Sequence, residues 1–179
     1  MVTQIVFLQG GGAGAHDEDA ALAADLQRRL GDGFRVEFPT MPREGDPDYD
    51  RWRPAIAAAV DGATVLVGHS LGGYLLAKYL ADARPAGIAV VCLLAAPFPG
   101  GDPDWVFDGF ELPDDFAAAL PEAVFLYASE DDEVVPFAHR DRYAAAIPGS
   151  VTRTTTGGHQ LGNDLSAVAD DIRSATAAG

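Results

Sequence analysis

The stretch Val65-Leu66-Val67-Gly68-His69-Ser70-Leu71-Gly72-Gly73 decides the fold of this chain. Its apolar start predicts a buried strand, and the apolar residues that follow it predict a helix. Between the two, Gly68 and Gly72 bracket Ser70 in the pattern Gly-x-Ser-x-Gly, which is typical of a nucleophile elbow. A side chain at either glycine would collide with the tight turn, and we expect a strained serine whose hydroxyl stands clear of the sheet.

Strand and helix patterns alternate along the rest of the 179 residues. This alternation predicts an α/β fold, a doubly wound parallel sheet of about six strands with helices on both faces. We expect one domain over residues 1–179. Predicted strands cover 3–9, 34–38, 63–67, 88–95, 123–127 and 151–155, and predicted helices cover 17–30, 52–60, 71–80, 137–147 and 164–176.

Residues 97–121 interrupt the alternation with prolines, glycines and aromatic residues. One interpretation is a loop with packed aromatics, and the other is a small cap or lid over a functional site. Under the second interpretation, the aromatic residues are candidates for a substrate pocket: Phe98, Trp105, Phe107 and Phe110.

A serine hydroxyl is a nucleophile only with a base in reach and an acid that orients the base. His159 follows the last predicted strand, and Gly157 and Gly158 let its loop turn back toward the sheet, so we expect it to be the base. Of the other histidines, His69 is expected to be structural and His139 to be an exposed helix residue.

The acidic loop 130–133 directly follows the fifth predicted strand. Its position gives the chain order serine, acid, histidine that serine hydrolases of α/β type share. Elementary chemistry alone leaves Asp131 and Asp132 open as the orienting acid.

Three blocks now suggest a family: residues 68–72 around the serine, Asp132-Glu133-Val134-Val135-Pro136, and Gly158-His159. They resemble the catalytic blocks of the α/β-hydrolase superfamily, and the length is similar to its minimal branch, the retinoblastoma-binding-protein-like hydrolases. The resemblance implies a reduced α/β-hydrolase fold with Ser70 as nucleophile, His159 as base and Asp132 as acid. The chain departs from the superfamily in having Gln9-Gly10 where His-Gly is common.

An acyl-transfer site also needs two backbone N–H groups for the oxyanion. Leu71 supplies one, because it follows the nucleophile. The resemblance implies Gly11 for the other, with Gly12 as the runner-up.

These residues predict hydrolysis of a small ester, thioester or amide through an acyl-serine, with no metal and no cofactor. The alternatives are a non-catalytic binding protein on a hydrolase scaffold, a lyase or perhydrolase that keeps the triad, and a dinucleotide-binding protein. The last would use Gly10-x-Gly12-x-x-Ala15, with Glu37 on the ribose. It is disfavoured because the carboxylates of residues 17–19 would repel a pyrophosphate at the helix N-terminus.

Composition limits the partners. The net charge of −15 disfavours nucleic acid and anionic membranes, which leaves a small-molecule substrate. The acidity is compatible with a salt adaptation or with genome base composition. Residues 1–8 are expected to form a strand rather than a signal peptide, and the single cysteine, Cys92, allows no internal disulfide, so we expect a cytoplasmic protein. The sequence does not indicate an oligomeric state.

Overall fold

The computed structural model describes residues 2–100 and 103–177. Within them, six strands form one sheet: β1 (Thr3–Leu8), β2 (Phe34–Glu37), β3 (Val65–His69), β4 (Val90–Leu94), β5 (Ala123–Ser129) and β6 (Val151–Thr155). The sheet order is β2-β1-β3-β4-β5-β6, and all five neighbouring pairs are parallel. The predicted α/β fold is therefore confirmed.

Five α-helices are present in the described part of the chain: α1 (Ala15–Leu30), α2 (Tyr49–Val60), α3 (Leu71–Ala83), α4 (Ala138–Ala146) and α5 (Ser166–Ala177). Two short 3₁₀ helices, Phe116–Ala119 and Leu161–Asn163, lie in loops. The segment predicted as a loop or cap, 97–121, contains the first of these. Residues 101 and 102 of that segment lie outside the described residues, as do residues 1, 178 and 179 of the expected domain.

The helices cover the two faces of the sheet unequally. On one face α1 and α5 pack together through residues such as Leu22, Leu26 and Ile172. On the other face α2, α3 and α4 contribute residues such as Trp52 and Tyr143. Because successive strand residues point to opposite faces, β3, β4 and β5 supply both clusters and read as continuous apolar runs.

The positions of β2 and β3 on opposite sides of β1 determine where a functional site forms. From β1 the chain crosses outward to β2 and then returns to β3 on the other side of β1. The loops after β1 and β3 therefore diverge and leave a crevice at the carboxyl ends of these strands. The elbow lies at this crevice.

Candidate active site

The elbow has the backbone conformation that its sequence predicts. β3 ends at His69, α3 begins at Leu71, and Ser70 between them has φ 51° and ψ −127°. The N–H of Ser70 donates to the carbonyl of Leu94 on β4, with a distance of 2.8 Å. A non-glycine residue at positive φ is strained, and this hydrogen bond to the neighbouring strand helps to hold it.

The flanking glycines are required by close backbone approach. A Cβ at Gly68 would lie 2.6 Å from the Cα of Gly73, and one at Gly72 would overlap the carbonyl oxygen of Gln9. Both contacts are with main-chain atoms, which cannot rotate away. The packing of α3 against the ends of β1 and β3 thus depends on these two positions.

His159 and Asp132 are in direct contact. Nδ1 of His159 lies 2.9 Å from Oδ2 of Asp132, whose side chain is 1% exposed. The other carboxylate oxygen accepts the N–H groups of Val134 and Val135 at 2.8 and 3.0 Å. Burial raises the pKa of Asp132, but the hydrogen bonds from His159 and the two amides outweigh it and bring the pKa below the usual 3.8.

The neighbouring Asp131 has a different partner. Its Oδ2 accepts the N–H of Gly157 at 3.2 Å, on the exposed side of the loop. His159 is therefore paired with Asp132, while the hydrogen bond of Asp131 connects the acidic loop to Gly157, at the start of the loop that carries His159.

Ser70 and His159 line the same cleft, which has a volume of about 450 Å³. Ser70 is half-buried, and its Oγ makes no hydrogen bond with any residue in the described part of the chain. In unliganded enzymes such contacts are often long and shorten only when substrate binds. The remaining lining comprises Gly10, Gly11, Gly12, Ala15, Glu18, Asp19, Pro47, His69, Leu71, Trp105, Phe107, Val134 and Gln160.

Two of the four predicted pocket aromatics reach this cleft. Trp105 and Phe107 line it. Phe98 instead packs edge-on against Tyr143, with ring centroids 4.9 Å apart, and Phe110 packs near Tyr74 at 6.1 Å.

The amides predicted for an oxyanion differ in their availability. Gly11 and Leu71 both line the cleft, and neither N–H has an acceptor within the described residues. The N–H of Leu71 lies in the first turn of α3, where no helical carbonyl faces it. The N–H of Gly12, the runner-up, already donates to the carbonyl of Glu44 at 2.7 Å.

The other three histidines lie in unlike surroundings. His69 is buried, as expected of a structural residue. His16 stacks on Phe38 at 4.2 Å. The expectation of an exposed His139 is wrong: the side chain is buried, and its Nδ1 accepts the N–H of Phe98 at 2.8 Å. Its partner lies 41 residues away in the sequence, so the charged residues beside it gave no sign of burial.

Glu44 occupies the N-terminus of α1. Its carboxylate accepts the N–H groups of Gly14 and His16 at 2.9 and 2.8 Å and the side-chain amide of Gln9 at 2.6 Å. A pyrophosphate would need these same donors, so the geometry gives the dinucleotide alternative no support. Nothing in the sequence singles out Glu44, which lies in a loop and reaches α1 only in the folded chain.

Asp19 is a second residue of the cleft for which the sequence indicated only a negative charge at a helix N-terminus. It is 1% exposed and contacts His69 at 2.9 Å. A signal was available, because positions 19, 22, 26 and 30 share the buried face of α1.

The described residues contain neither a candidate metal centre nor a candidate membrane span. No group of three or more His, Cys, Asp or Glu side chains is arranged to hold a metal ion. No helix there has the length and apolar character needed to cross a bilayer.

A model of the serine hydrolase family matches residues 17–164, which include the elbow and the loops that carry Asp132 and His159. The chain belongs to the serine hydrolase family. This membership and the observed sheet confirm the predictions of a hydrolase with an α/β-hydrolase fold. The narrower resemblance to the retinoblastoma-binding-protein-like branch stays a prediction. No curated protein sequence matches this hydrolase at a significant level.

Solved structures share the fold of this hydrolase over nearly its whole length. The ydeN gene product of B. subtilis has a TM-score of 0.78 and 21% identity, covering 98% of this chain and 100% of its own. CarC, a serine hydrolase involved in carbazole degradation, has a TM-score of 0.74 and 15% identity, covering 99% and 92%. The esterase RhEst1 from Rhodococcus sp. ECU1013 has a TM-score of 0.70 and 16% identity, covering 97% and 90%.

Proposed function

We propose that this serine hydrolase cleaves small, uncharged esters through an acyl-enzyme, with Ser70 as nucleophile, His159 as base and Asp132 as the orienting acid. One observation carries the proposal. A buried carboxylate holds Nδ1 of His159 at 2.9 Å while the same imidazole shares a cleft with the strained serine of the elbow.

The hydrogen-bond pattern assigns a task to each nitrogen of His159. An ionised Asp132 only accepts, so Nδ1 carries the hydrogen of the neutral ring. Nε2 then has a free lone pair and takes the proton of Ser70 as Oγ attacks the ester carbonyl. Asp132 stabilises the resulting imidazolium and keeps the ring in this tautomer.

The tetrahedral intermediate places a negative charge on the former carbonyl oxygen. We propose that the N–H groups of Gly11 and Leu71 bind it, since both residues line the cleft and neither N–H has an acceptor within the described residues. Collapse breaks the bond to the alcohol, which receives the proton from Nε2 of His159. Water then attacks the acyl-serine by the same route and releases the acid.

The cleft walls support a small acyl group. Trp105, Phe107 and Pro47 give an apolar lining beside the serine, and a volume of about 450 Å³ lies within the range of small-molecule sites. We therefore propose that the segment 97–121 serves as one wall of an acyl site. The esterase RhEst1 shares this fold, and an esterase function of this chain is compatible with that similarity.

The first experiment measures labelling by a fluorophosphonate probe and turnover of p-nitrophenyl esters from acetate to octanoate, beside a matched amide and thioester. We expect rapid labelling of the wild type and the highest kcat/KM for a short ester. The Ser70→Ala variant should lose labelling and lower kcat by about 10⁴-fold or more, because the nucleophile is removed.

Two outcomes contradict this proposal. A wild type that is neither labelled nor active would favour a binding protein on a hydrolase scaffold. Labelling that survives in Ser70→Ala would place the nucleophile elsewhere.

A further inference from the structure

Asp19 connects three loops of the site. Its carboxylate accepts the N–H of Gly10, at the start of the loop after β1, at 2.8 Å. It contacts Nδ1 of His69, the residue before the nucleophile, at 2.9 Å. It also accepts the side-chain amide of Gln160, the residue after the proposed base, at 3.1 Å.

His69 extends this network to His159 itself. Its Nε2 lies 2.9 Å from the backbone carbonyl oxygen of His159. Because a carbonyl and an ionised carboxylate both only accept, the ring makes both hydrogen bonds when each of its nitrogens carries a hydrogen. The two imidazole rings lie 4.7 Å apart. Asp19 is thus connected to the loop that carries His159 in two ways, directly through Gln160 and indirectly through His69.

The two central side chains of the network are buried, which strengthens the hydrogen bond between them. The side chains of Asp19 and His69 are each 2% exposed. Burial raises the pKa of Asp19, but the hydrogen bonds from His69, Gly10 and Gln160 bring it below the usual 3.8. An ionised carboxylate with several donors at a buried position holds them at defined positions, and removal of one partner leaves the others unsatisfied.

We propose that Asp19 is a positioning residue for the hydrolytic reaction, and that the Asp19–His69 pair sets the relative positions of the Gly11 amide, Ser70 and His159. This proposal rests on the function proposed above. The carboxylate oxygens of Asp19 are occupied by donors from the three loops, so we assign its contribution to the geometry of the transition state and not to ground-state binding.

The test compares Asp19→Asn with Asp17→Asn on an ester that the wild type cleaves. Asn keeps the shape of Asp but removes the charge and one acceptor. Asp17 is exposed two residues before Asp19 on α1 and is not among the residues that line the cleft, so it controls for the loss of one charge there. For Asp19→Asn we expect kcat to fall about 10- to 100-fold with KM within about twofold, since small displacements of reacting groups have effects of this size. Asp17→Asn should match the wild type in both constants.

A second variant tests whether the pair acts as a unit. His69→Phe keeps a planar ring but loses both hydrogen bonds. Its kcat should fall by a similar factor, and the double variant should be no slower than either single variant by more than about threefold, because each single change already breaks the network. Melting temperature and the active fraction from fluorophosphonate titration are measured for every variant.

Several results would overturn the proposal. One is an Asp19→Asn protein with a lower melting temperature but wild-type kcat per active site. Another is a double variant whose fall in kcat equals the product of the falls in the two single variants. If neither single variant folds, the pair is structural and the proposal also fails. By contrast, a wild type without activity or labelling contradicts the proposed function itself, and the proposal on Asp19 falls with it.

Discussion

At the scale of single residues, neighbouring side chains of the same type have very different chemistry. Asp132 has a side chain that is 1% exposed and bonds to His159 and two amides, whereas Asp131 is an exposed residue that bonds to Gly157. The Asp132 carboxylate stays ionised to a lower pH than an aspartate with the usual pKa of 3.8, since its own pKa lies below that value. Its contribution to folding stability is therefore fully present above about pH 3.8 and is lost as the pH falls through its folded pKa.

We predict that Asp132→Asn lowers kcat for ester hydrolysis by about 10³- to 10⁴-fold at pH 8, because the amide no longer enforces the tautomer with a free Nε2 on His159. The matched change Asp131→Asn should lower kcat by less than about fivefold. Steady-state kinetics on a short p-nitrophenyl ester measure both. Equal losses in the two variants would contradict the assignment of Asp132.

At the scale of elements, the connection between β4 and β5 contributes Trp105 and Phe107 to the lining of the cleft. Phe107 stacks on Tyr74 of α3 with ring centroids 4.3 Å apart, and the Tyr74 hydroxyl donates to the carbonyl of Phe110 at 2.7 Å. These contacts hold the segment against the helix that begins at the elbow. Phe107 and Ser70 are thus both positioned by α3, since Ser70 directly precedes this helix.

We predict that Trp105→Ala shifts the preferred acyl chain toward longer esters, since it removes a large side chain from the cleft lining. The kcat/KM for octanoate relative to butyrate should rise about three- to tenfold, because each buried methylene contributes up to about 0.8 kcal/mol. Val106→Ala is the control, as Val106 is 62% exposed in the same segment. An unchanged ratio in Trp105→Ala would show that this residue does not limit the acyl site.

At the scale of the whole molecule, charge is the dominant feature. The chain carries a net charge of −15, and no Lys or Arg is found among the described residues that line the cleft. Glu18 adds an exposed carboxylate to that lining. Such a field repels anionic ligands over distances comparable to the Debye length and is screened by salt.

We predict that an ester with a carboxylate at the acyl end has a kcat/KM at least tenfold below that of its neutral methyl-ester isostere at low ionic strength. The difference should shrink about threefold or more at 0.5 M NaCl, where charges are screened. Glu18→Gln should raise kcat/KM for the anionic substrate and leave the neutral one unchanged. If the ratio of the two kcat/KM values does not change with salt, the preference for the neutral ester comes from the shape of the cleft and not from charge.

The sequence by itself determined the features that depend on neighbouring residues. The steric demands of Gly68 and Gly72 required the elbow, and the apolar periodicities gave the alternating strands and helices and hence the parallel sheet. Because functional loops follow the carboxyl ends of strands, the placement of Ser70 and His159 at one cleft also followed from chain order.

Only the tertiary structure decided which side chains meet across long separations. It placed Glu44 on the N-terminus of α1 and buried Asp19 against His69. It also paired Asp132 with His159, a choice that the family resemblance implied but that the chemistry of the acidic loop left open. It also buried His139, which the sequence placed at the surface. The reason is physical: periodicity records which face of an element is apolar, whereas a buried polar residue is tolerated only where distant partners satisfy it, and those partners exist only once the chain has folded.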